Sequence, residues 1–473
     1  KSRQAEYDCR INRSPVFLHM KTVRLMGHAG SDVESGYKSL SDIESTEFND
    51  PLLHSARILI ENRCLSAEDI LSIYKLSRQQ VNHVFDLTVL KPKLETSSEV
   101  MASIVTSKSS GLLPKKATSN ARKNLFGKEF DRLSQPQHMA KLINYCLSDI
   151  MLRFKNTIIF GEDVAQKGGV YNVTANLYKQ FGVRRVFNSP LDETSIIGFG
   201  IGFAHNGFVP IPEIQFLAYI HNAEDQLRGE AATLSFFSKG NFTNPMVLRV
   251  PGLAYQKGFG GHFHNDNSLT IFRDIPGLIL AVPSNGADAV KMFRTAIREA
   301  HEKGRVVIFI EPIALYMTKD LHKPKDRKWS FKYPPLNDEI PVGKFATYGN
   351  GKALIIITYG NGLYLSLQAK KDIEKKSKKK ITVIDLRWLS DIDIPKLLKT
   401  IGNCKNILIV DECRRTGCHG EGLLVQLVEN AKKTINVKLY AADDSFISLG
   451  FAATVTLPRK EAIVEFSLEL MNV

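Results

Sequence analysis

Two histidines stand one residue apart in the segment HFHNDN, residues 262–267, directly after the glycine-rich run GFGG. In an extended segment His262 and His264 would face the same side, as the ligands of a metal ion do. No third ligand follows at zinc spacing, so no metal site is predicted. Two interpretations stay open: a catalytic histidine whose tautomer is held by the neighbouring Asn and Asp side chains, or a plain polar turn.

A second candidate is Glu193, in the segment NSPLDETSIIGFGIGFAHNG. A carboxylate at the start of a helix stabilises the helix dipole, and the pattern by itself favours this structural role. Gly198, Gly200 and Gly202 follow and would allow tight helix packing. GxGxG without a strand directly before it is weak evidence for dinucleotide binding.

A third candidate is the segment RLMGHAGSD, residues 24–32, which combines Arg24, Gly27, His28 and Ser31. Cationic side chains and backbone donors at a strand end suit a phosphate group. A capped turn explains the same residues equally well.

The elements around these candidates predict an α/β fold with two successive parallel-sheet units. Short, wholly apolar strands alternate with helices, which indicates parallel sheets covered on both faces. The predicted strands are 157–162, 184–190, 210–216, 245–251, 278–284 and 306–312 in the first unit and 353–360, 381–389, 407–412 and 437–443 in the second.

Open parallel sheets bind ligands beyond the carboxyl ends of their strands. Several polar or aromatic residues stand at the ends of predicted strands or just past them, namely Glu162, Glu193, Gln215, Tyr219 and the HFHNDN loop. Their convergence at one edge of the sheet predicts a binding site there.

Changes in amino-acid composition along the chain predict further boundaries between domains and linkers. Residues 1–90 contain an opening strand within 14–32 and two helices, which is an incomplete α/β piece. Residues 91–135 are rich in Ser, Lys and Thr and are predicted to be a flexible basic linker. The two α/β units are predicted at 136–321 and 346–473, with a connector at 322–345.

The net charge of +14 is spread over lysine runs such as residues 370–380 and lacks any nucleic-acid-binding motif. We therefore expect no nucleic-acid partner. No apolar stretch is long enough for a membrane span. The six scattered cysteines favour reduced thiols and a cytoplasmic location.

Residues 160–226 resemble the pyrimidine-binding β subunit of thiamine diphosphate-dependent 2-oxo acid dehydrogenases, the branched-chain type above all. The segments HFHNDN, DIPGLILAVPS and FIEPIALY continue the resemblance. VIDLRWLSDID, ILIVDECRRTG and DDSFISLG are similar to the transketolase-like carboxyl-terminal domain of that subunit. HMKTVRLMGHAGSD resembles the tail of the α subunit, which implies a fused α–β form of the first, decarboxylating component.

The resemblance implies a role for each residue of the predicted site. Glu193 would hydrogen-bond the aminopyrimidine ring nitrogen of thiamine diphosphate and promote the tautomer that accepts a proton from the thiazolium carbon. Tyr219 would pack on the pyrimidine, with Leu191 and Glu162 beside it, and Gln215 is assigned to the same cofactor site.

The remaining roles lie closer to the substrate and the diphosphate. His264 would lie near the reacting carbon and the incoming lipoyl group, and His28 would line the site near the diphosphate, with Arg24 nearby. The implied partners are a lipoyl-bearing acyltransferase component and a second copy, in a homodimer of fused chains or an α2β2-like assembly.

Three departures from the family pattern qualify these expectations. The GDG…N segment that holds magnesium and diphosphate would lie before Lys1, so the chain is expected to carry only the pyrimidine half and to be inactive alone. Ala29 stands where a regulatory phosphoserine often follows the histidine. The family's HSQS is replaced by His264–Asn265–Asp266–Asn267, whose added charge implies altered substrate preference or lipoyl docking.

Two alternatives remain from the sequence. One is another thiamine enzyme, a transketolase or a deoxyxylulose-phosphate synthase, although the α-type segment at the front argues against it. The other is a non-catalytic assembly piece that lacks the diphosphate-binding half.

Overall fold

The structure is a computed structural model that describes residues 1–105, 113–256 and 260–473. Part of the predicted linker (106–112) and the beginning of the GFGG loop (257–259) lie outside the described residues. The chain divides into two compact units, Lys1–Leu94 and Glu95–Val473. Of the helices in the described ranges, none is both long and apolar enough to cross a bilayer.

The first unit is helical, and two of its four α-helices begin where the sequence predicts. Asp50 accepts a hydrogen bond from the Leu52 N–H with Pro51 at the first helical position, and Ser66 and Asp69 form a reciprocal capping box. The helices are α1 (Ser2–Ile11), α2 (Leu40–Phe48), α3 (Pro51–Glu61) and α4 (Ala67–Val89).

The prediction of a strand at the start of residues 14–32 is wrong. Within Lys1–Leu94, all of which is described, this segment belongs to no strand, and the side chain of Phe17 is 92% exposed. A strand needs a neighbour to satisfy its backbone groups, and this unit contains only helices and turns.

The first α/β domain of the second unit is built on parallel strands, as predicted. Its two three-stranded sheets have the orders β2–β1–β3 and β4–β6–β5, and a parallel bridge between Glu213 and Arg249 connects the end of β3 to β4. The strands are β1 (Thr157–Gly161), β2 (Val186–Asn188), β3 (Val209–Pro212), β4 (Met246–Gly252), β5 (Ile279–Ala281) and β6 (Val306–Pro312).

The second α/β domain has one five-stranded sheet in the order β11–β10–β8–β9–β7. All of its pairings are parallel except that of β7 with β9. The strands are β7 (Ala346–Tyr348), β8 (Ile355–Thr358), β9 (Thr382–Asp385), β10 (Asn406–Arg414) and β11 (Asn436–Ala442).

Helices cover the sheets and bury apolar side chains against them. In the first domain α7 and α13 pack together, and Leu142 and Phe293 are fully buried between them and the strands. The helices of the unit are α5 (Ser97–Met101), α6 (Ser119–Phe126), α7 (Met139–Arg153), α8 (Leu177–Phe181), α9 (Glu193–His205), α10 (Ile220–Asp225), α11 (Thr233–Phe237), α12 (His262–Asn265), α13 (Gly286–Lys303), α14 (Ile313–Tyr316), α15 (Asn361–Ser377), α16 (Ile394–Ile401), α17 (His419–Asn430) and α18 (Lys460–Leu470).

The end of the predicted flexible linker is folded onto the first domain. Arg122, in α6, donates two hydrogen bonds to the carboxylate of Asp149 at 2.7 and 2.9 Å. Phe126 and Leu133 are buried in the core formed with α7. The composition predicted flexibility because this segment has few large apolar residues. Burial of Phe126 and Leu133 and the pairing of Arg122 with Asp149 nevertheless attach the segment to the first domain.

Candidate active site

Glu162, Glu193, Gln215 and Tyr219 lie at the carboxyl edge of the sheet β2–β1–β3. Glu162 follows β1, Glu193 begins the helix after β2, and Gln215 and Tyr219 follow β3. The carboxylates of Glu162 and Glu193 are close enough to interact electrostatically. Parallel pairing places the ends of these strands side by side, so the structure brings these predicted residues together.

Glu193 is the first residue of α9, but Asp192 caps the helix. The Asp192 carboxylate accepts hydrogen bonds from the N–H and the hydroxyl of Ser195. Glu193 is only 4% exposed, and its Oε2 accepts a hydrogen bond from Asn222 Nδ2 at 3.1 Å. Because the neighbouring residue caps the helix, the buried Glu193 carboxylate is available for another partner.

This helix approaches β4 closely at one glycine. A Cβ atom at Gly200 would lie 2.6 Å from Met246 Cε, the end of a flexible side chain that would have to move. Gly198 and Gly202 have open space around them. Gly200 therefore allows the helix that begins at Glu193 to pack closely on the strand.

The carboxyl of Glu162 has an unusual electrostatic environment. Burial and, after it, the nearby negative charges of Glu193, Asp163 and Glu213 together raise its pKa to about 7. Its Oε1 is buried and forms no hydrogen bond with any described residue. A buried, unpaired carboxyl oxygen beside a second carboxylate is suited to a ligand that presents N–H groups.

Three further predicted cofactor residues differ in their surroundings. Gln215 Nε2 is 3.4 Å from Asp163 Oδ2, which directs the amide toward the acidic side chains after β1. Leu191 is 76% exposed, so its predicted contact with the cofactor remains a prediction. The ring of Tyr219 stacks on Phe263, with 6.0 Å between ring centroids.

His264 lies in the loop after β4, against the residues that follow β3. Its ring centroid is 5.0 Å from that of Phe216, and its Nδ1 is 3.1 Å from the carbonyl oxygen of Gly260. Gln256 Nε2 donates to the backbone carbonyl of His264 at 3.0 Å, and the Tyr171 hydroxyl donates to Gln256 Oε1. Gln256 and Tyr171, which support His264, were not predicted from the sequence, although Gln256 lies shortly after β4.

The expectation that His262 and His264 face the same side is wrong. Residues His262–Asn265 form a helical turn, in which residues two apart point in nearly opposite directions. The ring of His262 contacts Phe446 edge-on at 4.9 Å, and its Nδ1 is 3.8 Å from Asp266 Oδ1. Burial lowers the pKa of His262. Within the described ranges no group of three or more His, Cys, Asp or Glu side chains is arranged to hold a metal ion.

The three residues after His264 attach the loop to the second α/β domain. Asn265, Asp266 and Asn267 are each at most 2% exposed. Asp266 Oδ1 accepts a hydrogen bond from Arg414 Nη1 at 2.8 Å, and Asn267 Nδ2 donates to the Glu412 carbonyl at 2.7 Å. The charge of Asp266 is therefore compensated inside the protein, and its predicted effect on substrate preference or lipoyl docking remains a prediction.

A buried ionic cluster holds the strands below the site. Arg249, fully buried in β4, donates to both carboxylate oxygens of Glu311 at 2.7 and 2.8 Å and to Glu213 at 2.5 Å. The Tyr316 hydroxyl donates to Glu311 as well. The cluster joins the ends of β3, β4 and β6 and so fixes the segments that carry Gln215, Tyr219 and His264. Its carboxylates and Tyr316 were not predicted from the sequence.

Arg24 and His28 lie in the unit Lys1–Leu94. The segment around them forms a turn, in which the His28 N–H donates to Asp32 Oδ2 at 2.6 Å. This bond and one from Tyr37 lower the pKa of Asp32. The capped turn is therefore present, and the predicted phosphate role of both residues remains a prediction.

Three family models match the chain in sequence order. Residues 2–97 match the dehydrogenase E1 component, residues 135–318 the pyrimidine-binding domain of transketolase, and residues 343–443 the transketolase carboxyl-terminal domain. The last two matches coincide with the two α/β domains, and the first includes the whole helical unit.

Curated relatives and solved structures extend these matches. The chain is 31% identical to the pyruvate dehydrogenase E1 component subunit beta of Staphylococcus epidermidis over 334 residues, which are 69% of this chain and 96% of that subunit. The same subunit of Staphylococcus aureus is 31% identical over 341 residues, 71% of this chain and 98% of that subunit. A split-gene transketolase, solved as an inactive beta4 tetramer, is similar in fold, with a TM-score of 0.54, 16% identity, and coverage of 71% of this chain and 98% of that one.

Proposed function

The chain belongs to the E1 components of thiamine diphosphate-dependent 2-oxo acid dehydrogenases, with an α-subunit tail followed by a β subunit, and from this premise we propose that it takes part in the decarboxylation of a 2-oxo acid. The observation that carries the proposal is Glu193, a buried carboxylate at a helix start that a neighbouring residue already caps.

The side chains at this edge fit the pyrimidine half of thiamine diphosphate. Glu193 would accept a hydrogen bond from the protonated ring nitrogen, and the unpaired Oε1 of Glu162 would accept one from a second N–H group. Tyr219 and Leu191 would pack on the ring, and Gln215 would fix its orientation. When bound, the cofactor supplies an electron sink that allows carbon dioxide to leave.

The other residues act on the substrate side and on the diphosphate. His264 would hold or deliver a proton near the reacting carbon, and its position depends on Gln256 and Tyr171. We assign Arg24 and His28 to the diphosphate. Magnesium and the rest of the diphosphate would be held by ligands outside those we assign, so full activity requires the segment or subunit that provides them.

We propose pyruvate or a branched-chain 2-oxo acid such as 3-methyl-2-oxobutanoate as the substrate, and the lipoyl group of an acyltransferase component as the acyl acceptor. The names of the similar subunits favour pyruvate. A homodimer of fused chains or an α2β2-like assembly would join the two halves of the cofactor site.

A decarboxylation assay with both substrates tests the proposal. The assembled enzyme, supplied with the diphosphate-binding half, thiamine diphosphate and magnesium, should release carbon dioxide, and Glu193→Gln should slow this release by about 10²–10⁴-fold. The glutamine can still accept the Asn222 hydrogen bond, so folding should be retained. Glu224→Gln, at a partly exposed acid of α10, is the matched control. Normal turnover by the Glu193 variant would refute the assignment, and no turnover by the parent would favour an assembly role.

A further inference from the structure

A cavity of about 380 Å³ lies between the two α/β domains, and we name it the arginine cavity. It is bounded by Arg273 and Arg305 from the first domain and by Ser390, Asp391 and His419 from the second. Arg305 precedes β6, so the cavity is at the amino edge of the first sheet, opposite Glu162 and Glu193.

For the second domain the same cavity is at the carboxyl edge of the sheet. Ser390 follows β9, and His419 follows β10 as the first residue of α17. Residues beyond the carboxyl ends of parallel strands are the usual ligand contacts of open α/β sheets. The position of the cavity in the fold therefore favours ligand binding.

The arginines contribute charge that their own contacts do not cancel. Arg273 Nη1 donates to the carbonyls of Gly417 and Cys418 at 2.9 and 2.8 Å, and Arg305 Nη2 donates to the carbonyl of Gly277 at 3.1 Å. A backbone carbonyl oxygen accepts a hydrogen bond from an arginine N–H but has no formal charge. The positive charges of Arg273 and Arg305 are therefore not neutralised by these bonds. Arg305 Nε is buried and has no hydrogen-bond partner among the described residues, which costs free energy that an acceptor would recover.

The other polar groups set the charge balance of the cavity. Among the lining residues Asp391 carries the one negative charge, and it attracts Arg305. Glu299 also attracts Arg305, but it lies outside the lining and pairs with Arg298 and Lys303. Burial lowers the pKa of His419 to about 4, so this histidine is neutral near pH 7. The Ser390 hydroxyl oxygen accepts a hydrogen bond from the Leu280 N–H at 3.0 Å, and the hydroxyl can still donate one. Two arginines and one aspartate leave an excess of one positive charge.

We propose that the arginine cavity binds a small organic carboxylate. Its single negative charge would be held by Arg273, Arg305 and the Ser390 hydroxyl, and its apolar body would contact Leu278 and Leu423, which are among the lining residues. A phosphate dianion matches the excess of one positive charge less well and has no apolar body for these leucines.

Calorimetric titration of the 473-residue chain with 4-methylpentanoate tests the proposal. This probe lacks the keto group, so thiamine chemistry plays no part. We expect saturable one-site binding that Arg273→Gln and Arg305→Gln each weaken by at least about tenfold, equivalent to about 1.4 kcal/mol. Arg228→Gln, which removes an exposed arginine of the same domain, should bind as the parent does, and so should Glu193→Gln.

Three results would overturn the proposal: no saturable binding, equal binding by the arginine variants and the parent, or tighter binding of inorganic phosphate than of the carboxylate. If thermal unfolding shows that Arg305→Gln fails to fold, Arg273→Gln decides the question, since Arg273 lies on the exposed rim. Because the readout is binding, a failure here leaves the decarboxylation proposal untouched.

Discussion

Replacing Glu162 with glutamine should make the stability of the second unit less sensitive to pH. Its pKa is raised to about 7, because burial and the carboxylates of Glu193, Asp163 and Glu213 disfavour ionisation. In the unfolded chain a glutamate ionises near its usual pKa of 4.5. Between these two values the unfolded state releases the proton while the folded state keeps it, so the free energy of unfolding falls as pH rises.

The size of the effect follows from the shift in pKa. Each unit is equivalent to about 1.36 kcal/mol, so a shift from 4.5 to about 7 gives a ceiling of about 3.4 kcal/mol. Glu162 is only partly buried and solvent screens part of the interaction, so we expect about 1–2 kcal/mol. Glutamine cannot ionise, and the variant should therefore be more stable than the parent by this amount at about pH 8 and similar to it at about pH 4.

Urea unfolding followed by tryptophan fluorescence measures this difference. Both tryptophans of the chain, Trp329 and Trp388, are buried in the second unit, so the signal reports the unit that contains Glu162. Glu230→Gln, at an exposed acid of the same domain, controls for the loss of one surface charge. Parallel pH profiles for the parent and Glu162→Gln would refute the electrostatic description of the site.

Three further variants test other parts of the structure. Burial raises the pKa of Glu412 to about 8, so Glu412→Gln should unfold at higher urea concentration than the parent at about pH 8, with the advantage lost at about pH 4. Gly260 has a φ of +64°, and a Cβ atom there would lie 2.3 Å from His264 Cγ. Gly260→Ala should therefore displace the His264 ring and lower kcat for decarboxylation by about 10–100-fold. Asp266→Asn should lower the free energy of unfolding by about 1–3 kcal/mol, because it removes one member of a buried ion pair. A double-mutant cycle with Arg414→Gln, measured by urea unfolding, should give a coupling energy of about 1 kcal/mol or more. Additive effects of the two substitutions would contradict the ion pair.

The sequence predicted the parallel sheets because their strands are continuous apolar runs bounded by turns. The strand β6 has the predicted bounds, 306–312, and the candidate residues follow strand ends whose convergence is a property of parallel pairing. The strand β7 was missed because its residues, Ala346–Tyr348, are not fully buried and form no continuous apolar run.

The parts that the sequence did not predict depend on contacts between distant residues. The helical turn at His262–Asn265 is four residues long, which is about one period of an α-helix, so no repeat could indicate it. The partner of Asp266 is Arg414, 148 positions away, and the Arg249 cluster connects three strands. The folded end of the linker likewise depends on Asp149, which belongs to another helix.

The most direct test is the structure of the assembled enzyme with thiamine diphosphate bound. The account predicts that a carboxylate oxygen of Glu193 lies about 2.6–3.2 Å from the ring nitrogen of the aminopyrimidine, with Tyr219 against the ring face. A pyrimidine bound elsewhere, or a Glu193 that contacts only Asn222, would contradict it.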